Sequence, residues 1–501
     1  MSLATKLFRS SSLNVFDHVV KIATVFVVTP LMISELGEVR YGVWLLAMAI
    51  VGYFQVLDLG VTLAGTRFLA KEIGSGDRNR FQAYLSTLLK IYQRIGLAMI
   101  PLTLIVAGVV PIFFGGEEDG GLLRWIILAF GSDIAVRFFT RIFRVLLRSH
   151  VRYDLIVVCS LTKTLLQSVF TAILLLNGFG IPTLIVVHVS VDLIEQFLVF
   201  LFARKIDPEV QITTRCYRPE LAKEVLKYGS TLVFFGIGKG LRTGVDPLII
   251  GAFSGFSRIP VYSIGNRLLE TFSDMVNAVF GGALFAALSQ VQGRGDDNAL
   301  RESFFKIAKL SAAFAMLGGS GLAIYATYFI ERWLGPEFRD SGTVVLILAI
   351  PYIIMLAQYP AYGLLQTTGR ERQVAMLGFG GGVLNLIISL ILYQWIGFFG
   401  VVWGTAVELL IVYLFVVPFL VSRALDISLA QYFRAFLPSF AMVGGLSLAW
   451  YALTIHWLKP NYLNLACFGA GHTLLTLGLA WLALFDTAQK RQILAIFKKF
   501  S

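Results

Sequence analysis

Apolar runs long enough to cross a bilayer recur from one end of this chain to the other. A hydrocarbon core of about 30 Å takes about 20 helical residues per crossing. Stretches of that kind fall at 13–34, 41–66, 85–114, 122–147, 155–177, 182–203 and 228–253. They continue at 261–288, 307–333, 343–366, 374–396, 401–421, 437–458 and 463–485. Lipid offers no water to satisfy backbone groups, and runs of this length satisfy them internally as helices. The expectation is therefore an all-α polytopic membrane protein with about fourteen transmembrane helices. Composition points the same way, with 57% AVILMFWYC and 14% charged residues, where soluble chains carry about 25% charge. Secreted enzymes, nucleic-acid-binding domains and single-span receptors with a folded ectodomain are excluded. No loop exceeds about 25 residues, too short for an appended catalytic domain of about 50 or more.

The net charge of +12 is a matter of topology. Loops on one side hold Lys6 and Arg9, Arg67 to Arg80, Arg148 and Arg152, and the group from Arg204 to Lys227. The same side continues with Arg294 to Lys306, Arg370 and Arg372, Arg423 and Arg434, and Lys490 to Lys499. The opposite loops hold only Arg40, Arg258, Arg339 and Lys459, with the acidic run Glu117, Glu118 and Asp119. Both termini are then expected in the cytoplasm, and the basic balance needs no nucleic-acid partner. The first span contains Asp17, His18 and Lys21 and lacks a small-residue cleavage site, so it is expected to belong to the fold rather than to a removable signal.

Comparison of the chain with itself shows matches at shifts of about 217 to 219 residues. Lys21 and Pro30 recur as Lys239 and Pro247; Gly37-x-x-Arg40 recurs as Gly255-x-x-Arg258; and the Gly74 to Asn79 loop recurs as Gly293 to Asn298. An even number of spans separates the copies, so they should form two parallel six-helix lobes with a site near midplane where they meet. The expected organisation is an N-lobe at 1–205, a cytoplasmic linker at 206–227, a C-lobe at 228–425, and two extra helices with a basic tail at 426–501.

A charge at the centre of a membrane helix costs about 2.5–3.5 kcal/mol on insertion scales, so such residues face inward and are often functional. At about 1.5 Å per residue, Lys239 and Arg242 lie about 16 and 21 Å into span 7, with Asp246 near the far edge. Arg267, Glu270 and Asp274 lie about 9–20 Å into span 8. Each triplet is spaced i, i+3, i+7 and shares one helical face. Span 1 adds Asp17 and Lys21, one turn apart. One reading has these groups neutralise each other, as Asp17 with Lys21, Arg242 with Asp246 and Arg267 with Glu270. The other has the cations line a cavity for an anion, above all a phosphate.

Span 4 carries Arg137, Arg141, Arg144 and Arg148 in one stripe. Depth places Arg137 inside as an entry-side anion contact, while Arg144 and Arg148 are expected to snorkel to headgroups. Lys163, Asp192, Glu195 and Glu408 are further buried charges, open between internal pairing and ion coupling, and Asp58 between a capping and a ligand role. The glycines 236, 238, 240 and 244 of span 7 suit either close packing or a bendable segment. Cys159, Cys216 and Cys467 lie far apart without metal spacing and read as inert thiols. No phosphate-binding loop, H-E-x-x-H or G-x-S-x-G motif is present, so no cofactor, metal or enzymatic activity is expected.

The motifs resemble the polysaccharide transporter branch, the Wzx-like lipid-linked oligosaccharide flippases, of the multidrug/oligosaccharidyl-lipid/polysaccharide exporter superfamily. The resemblance rests on Pro30, Leu36-Gly37, Tyr41-Gly42-Val43-Trp44, Asp58-Leu59-Gly60, Arg67 and the Gly76-Asp77 turn. It continues through Asp246-x-Leu-Ile-Ile-Gly, Val261-Tyr262-Ser263, Trp333-Leu334-Gly335-Pro336-Glu337-Phe338 and the 397–401 motif, spanning roughly 10–420. The resemblance implies two lobes around a cationic cavity opening alternately to each face of a bacterial inner membrane. It implies movement of a polyprenyl-diphosphate-linked oligosaccharide from the cytoplasmic to the periplasmic leaflet for O-antigen, capsule or exopolysaccharide assembly. Lys21, Lys239, Arg242, Arg267 and Arg137 are then expected to hold the diphosphate. Asp17, Asp246, Glu270 and Asp274 are expected to couple H+ or Na+, with polysaccharide polymerase or ligase machinery as partners. Fourteen spans also keep a peptidoglycan-precursor flippase in play, and an ion-coupled multidrug exporter is the second reading. An intramembrane transferase and a membrane scaffold are the remaining alternatives.

Overall fold

The computed structural model describes residues 3–58, 60–114, 120–293 and 295–484. Among them all regular structure is helical, and the chain divides into two compact units, Met1–Pro260 and Val261–Ser501.

The first unit opens with α1 (Leu3–Phe54), which runs through both of the first two expected spans. Gly37 interrupts it at φ 79°, ψ 164°, a conformation glycine adopts without the steric cost of a Cβ. Its repeat partner Gly255 has φ 84°, ψ 165°, and Gly76 and Gly295 likewise share φ 75° and 70°. The sequence repeat is thus a repeat of backbone geometry. After α1 a 3-10 turn at Gln55–Asp58 bends the second span, and α2 (Val61–Ser75) follows. Asp58 accepts from the Thr62 amide at 3.3 Å and from the Thr62 hydroxyl at 2.7 Å, satisfying a free donor of the first turn.

Next come α3 (Arg78–Phe114), α4 (Gly120–Ser149), α5 (Tyr153–Leu176), α6 (Ile181–Ile206) and α7 (Pro219–Ser254). α4 packs against α3, α6 and α2, and α5 packs against α1 and α6. The segment between α6 and α7 lies along α3. Arg78 pairs with Asp207, Gln82 Nε2 donates to the Gln211 carbonyl at 2.6 Å, and the Lys90 ammonium sits 4.5 Å from the Tyr217 ring centre. α7 packs against α1, α2 and α3, which is why it groups with the first unit. Gly244 makes one of these contacts so close that a Cβ there would lie 2.8 Å from the Tyr53 hydroxyl.

The second unit contains α8 (Arg258–Gln292), α9 (Asp297–Leu334), α10 (Arg339–Ala357), α11 (Tyr359–Thr367) and α12 (Glu371–Ile396). It ends with α13 (Phe398–Ile411), α14 (Val417–Leu425), α15 (Leu429–Arg434), α16 (Leu437–Thr454) and α17 (Tyr462–Leu484). Its core is apolar, built around Phe272, Phe304, Leu356, Leu364, Tyr413 and Val417. Gln358 ties it together, donating to the Tyr413 carbonyl and accepting from the Tyr432 hydroxyl, both at 2.7 Å. The two extra C-terminal helices dock on α9 through a chain in which Ser447 meets Ser320 and His472, each at 2.9 Å.

Ten segments among the described residues are long and apolar enough to cross a membrane. α4 is not one of them, because every 18-residue stretch of it carries three or more charged side chains. Fourteen crossings remain the sequence-based expectation.

Candidate functional site

The charges that disqualify α4 as an apolar span define the site. Asp133, Arg137, Arg141, Arg144 and Arg148 recur at i, i+4, i+8, i+11 and i+15 and form one stripe. The opposite face, with Ala135, Phe138, Ile142 and Leu146, is buried in the first unit. The stripe fronts a cavity of about 810 Å³ enclosed by α1, the Gln55–Asp58 turn, α2, α4, α5 and α6. Six cations line it: Lys21, Arg137, Arg141, Arg144, Arg148 and Lys163.

Carboxylates stand beside five of those six. Lys21 Nζ is 2.6 Å from Asp17, Arg141 is 3.0 Å from Asp58, and Arg144 is 2.6 Å from Glu195. Arg137 pairs with Asp133 and, at 2.9 Å, with Asp192; Lys163 pairs with Asp192 and lies 3.7 Å from Glu195. Arg137 and Arg144 keep 29% of their side-chain surface exposed, whereas Asp133, Asp192 and Glu195 keep 0%, 4% and 7%. Asp17, Asp133 and Asp192 stand outside the lining, whereas Asp58 and Glu195 line the cavity together with the cations. Burying a charge away from water costs several kcal/mol unless it is paired, and these carboxylates offset that cost while leaving a positive inner surface. Arg148 has no ion pair among the described residues, and its Nε has no hydrogen-bond partner there. Planar guanidinium groups with free donors match phosphate oxygens in bidentate geometry.

Of the residues expected from sequence, Lys21 and Arg137 line this cavity, and Asp17 pairs with Lys21 at its edge. Arg242 is half-buried and Asp246 fully buried on α7, each engaged by neighbours and neither among the lining residues. The Lys239 side chain lies outside what the structure describes, as do Glu117, Glu118, Asp119, Arg294 and residues 485–501. In the second unit Arg267 is exposed, 3.6 Å from Glu270, which also accepts from Asn266 at 3.1 Å; Asp274 is exposed.

Arg144 and Arg148, expected to reach for headgroups, both line this cavity. α4 continues helical to Ser149, and Arg144 finds Glu195 of α6 instead. Depth on an isolated helix contains no information about a neighbour's carboxylate. The sequence reading also passed over a neutral polar stripe on α5: Ser160, Thr164, Gln167, Ser168 and Thr171 share one face with Lys163. Its signal, i, i+4, i+7, i+8, i+11, was present, but hydroxyls and amides cost far less in lipid than charges and were not weighed. Asp58 takes both roles left open for it, accepting from Thr62 and pairing with Arg141.

Over residues 36–343 the chain matches a family described as "Polysaccharide biosynthesis protein". It is 21% identical over 451 residues to the uncharacterized membrane protein EpsK of Bacillus subtilis, covering 85% of this chain and 84% of that one. It is 20% identical over 443 residues to the uncharacterized membrane protein MJ1068 of Methanocaldococcus jannaschii, covering 84% and 85%. In fold it is similar to the lipid II flippase MurJ in an inward closed conformation, with TM-score 0.72, 13% identity, and 95% and 99% of the two chains covered. It is also similar to an inward-facing multidrug resistance MATE family transporter of the MOP superfamily, with TM-score 0.68, 14% identity, and 82% and 99% covered. The family match extends over more than half of the 501 residues, and the chain belongs to this polysaccharide biosynthesis protein family.

Proposed function

We propose that this protein is a lipid-linked oligosaccharide flippase. It moves a polyprenyl-diphosphate-linked glycan from the cytoplasmic to the periplasmic leaflet of a bacterial inner membrane by alternating access, with both termini cytoplasmic. The observation that carries the reading is the 810 Å³ cavity of the first unit, lined by six cations against two carboxylates, Asp58 and Glu195. A diphosphate brings several anionic oxygens, and guanidinium forks in a water-poor cavity bind them more strongly than they would in bulk solvent. Lys21 and Arg137 act with Arg141, Arg144, Arg148 and Lys163. Lys239, Arg242 and Arg267 are proposed as further diphosphate contacts, and Asp17, Asp246, Glu270 and Asp274 as carriers of a coupling H+ or Na+. A cationic cavity is poorly suited to cationic drugs, which sets the multidrug reading behind this one.

The test is transbilayer movement of a polyprenyl-diphosphate oligosaccharide in liposomes containing the purified protein, beside Arg141→Gln and empty vesicles. The expected result is movement above the empty-vesicle rate that Arg141→Gln reduces at least tenfold. No movement by folded wild-type protein under proton and sodium gradients, across several glycans, would overturn the assignment.

A further inference from the structure

The first unit contains a second, smaller cavity of about 190 Å³ between the first part of α1, the α1 segment around Trp44, α5 and α6. Thr164 and Gln167 of α5 line both this alcove and the cationic cavity, so the two are adjacent. The alcove contains no charged side chain; hydroxyls, one amide, one imidazole and aromatic edges supply its polarity.

Two of its hydroxyls are idle. Thr29 and Thr171 are 7% and 2% exposed, and neither makes a hydrogen bond among the described residues. A helical threonine ordinarily bonds back to the carbonyl one turn earlier, as Thr164 does with Ser160 at 3.0 Å. Both line the alcove, and a hydroxyl there without a protein partner is free to donate to and accept from an occupant. Nearby, Thr24 and Ser168 meet at 3.0 Å. His188 Nδ1 is 2.9 Å from the Leu184 carbonyl; as the donor there it leaves Nε2 to accept. Trp44 meets the His188 ring edge-on with centroids 5.0 Å apart.

We propose that the alcove binds the sugar residue attached directly to the diphosphate, while the phosphates occupy the cationic cavity beside it. Neutral donors and acceptors against apolar and aromatic walls suit a hexose, which is rich in hydroxyls and carries no charge. The volume lies below the 300–1,000 Å³ typical of drug-sized ligands, so the alcove holds one ring and not a chain. The rest of the glycan then stays in the larger cavity, and recognition concentrates on the first sugar. This proposal rests on the flippase reading and deepens it.

The experiment measures binding to the full chain in nanodiscs, using bare polyprenyl diphosphate and a set of polyprenyl diphosphates each carrying a single hexose or N-acetylhexosamine. Wild type is compared with the near-isosteric double variant Thr29→Val/Thr171→Val. Because these hydroxyls have no protein partner, the variant should melt at or above the wild-type temperature. The expected result is that wild type binds at least one single-sugar probe more tightly than the bare one. The double variant should lose about tenfold on that probe, the worth of two neutral hydrogen bonds, and nothing on bare diphosphate. Equal binding of all probes by wild type, or a variant that weakens every probe alike or none, overturns the alcove. Failure of wild type to bind any probe overturns the diphosphate reading itself and the alcove with it.

Discussion

The two units carry the same repeat with opposite contents. At the repeat shift of about 218 residues, Arg137, Arg141 and Arg144 of α4 fall on Met355, Tyr359 and Tyr362, and Glu195 falls on Tyr413. The first set lines a cationic cavity; the second packs in the apolar core of the other unit. Where the first unit has ion pairs, the second has neutral bonds such as Tyr362 to Tyr413 at 2.9 Å and Tyr432 to Gln358 at 2.7 Å. The comparison teaches that this helical scaffold does not need the charges to fold. At these positions the second unit is held by packing and neutral hydrogen bonds, and the buried charges of the first unit accord with the anionic ligand proposed for it.

That contrast breaks most sharply at Glu195. Glu195→Ala leaves Arg144 and Lys163 facing each other without their shared partner, and should destabilise the protein by about 3–5 kcal/mol. Thermal unfolding in detergent reads it out, and adding Arg144→Met to a Glu195→Met background should recover most of the loss. In the second unit Leu356→Ala removes a fully buried side chain from the apolar core and should cost about 2–5 kcal/mol, a cavity effect. No second charge substitution should rescue it. Arg148→Gln separates function from stability, since no carboxylate among the described residues loses a partner. Affinity for a polyprenyl diphosphate should fall by about 10- to 100-fold, the worth of a charged hydrogen bond at about 1.5–3 kcal/mol, with the melting temperature unchanged. The smallest effect is expected at Arg339, 76% exposed and 3.1 Å from Glu331. Arg339→Ala should change stability by no more than about 1 kcal/mol.

Much of the fold was legible because long apolar runs bounded by turn residues leave little freedom in lipid. α4, α5 and α6 begin and end within about three residues of the spans expected for them, and Gly37 and Gly255 mark the repeat in both sequence and backbone. The bend at residues 55–60 was not legible: before Asp58 the run 41–66 is apolar but for Gln55, and the left-handed Gly60, φ 67°, begins the next helix. Nor was the grouping of α7 with the first unit, since that depends on contacts with α1, α2 and α3. At the site, sequence identified which residues are expensive in lipid but not which helices bring them together. Lys21 and Arg137 were identified from depth. Arg144, Glu195 and Lys163 join them only through the packing of α4, α5 and α6.

The central claim is that the diphosphate sits in the first unit's cavity. The most direct measurement is the affinity of the purified, folded protein for a polyprenyl diphosphate in nanodiscs, with wild type, Arg148→Gln and Arg242→Gln compared in parallel. The account predicts at least a tenfold loss for Arg148→Gln with its melting temperature held. Unchanged affinity in Arg148→Gln together with a large loss in Arg242→Gln would contradict it and move the phosphates to α7.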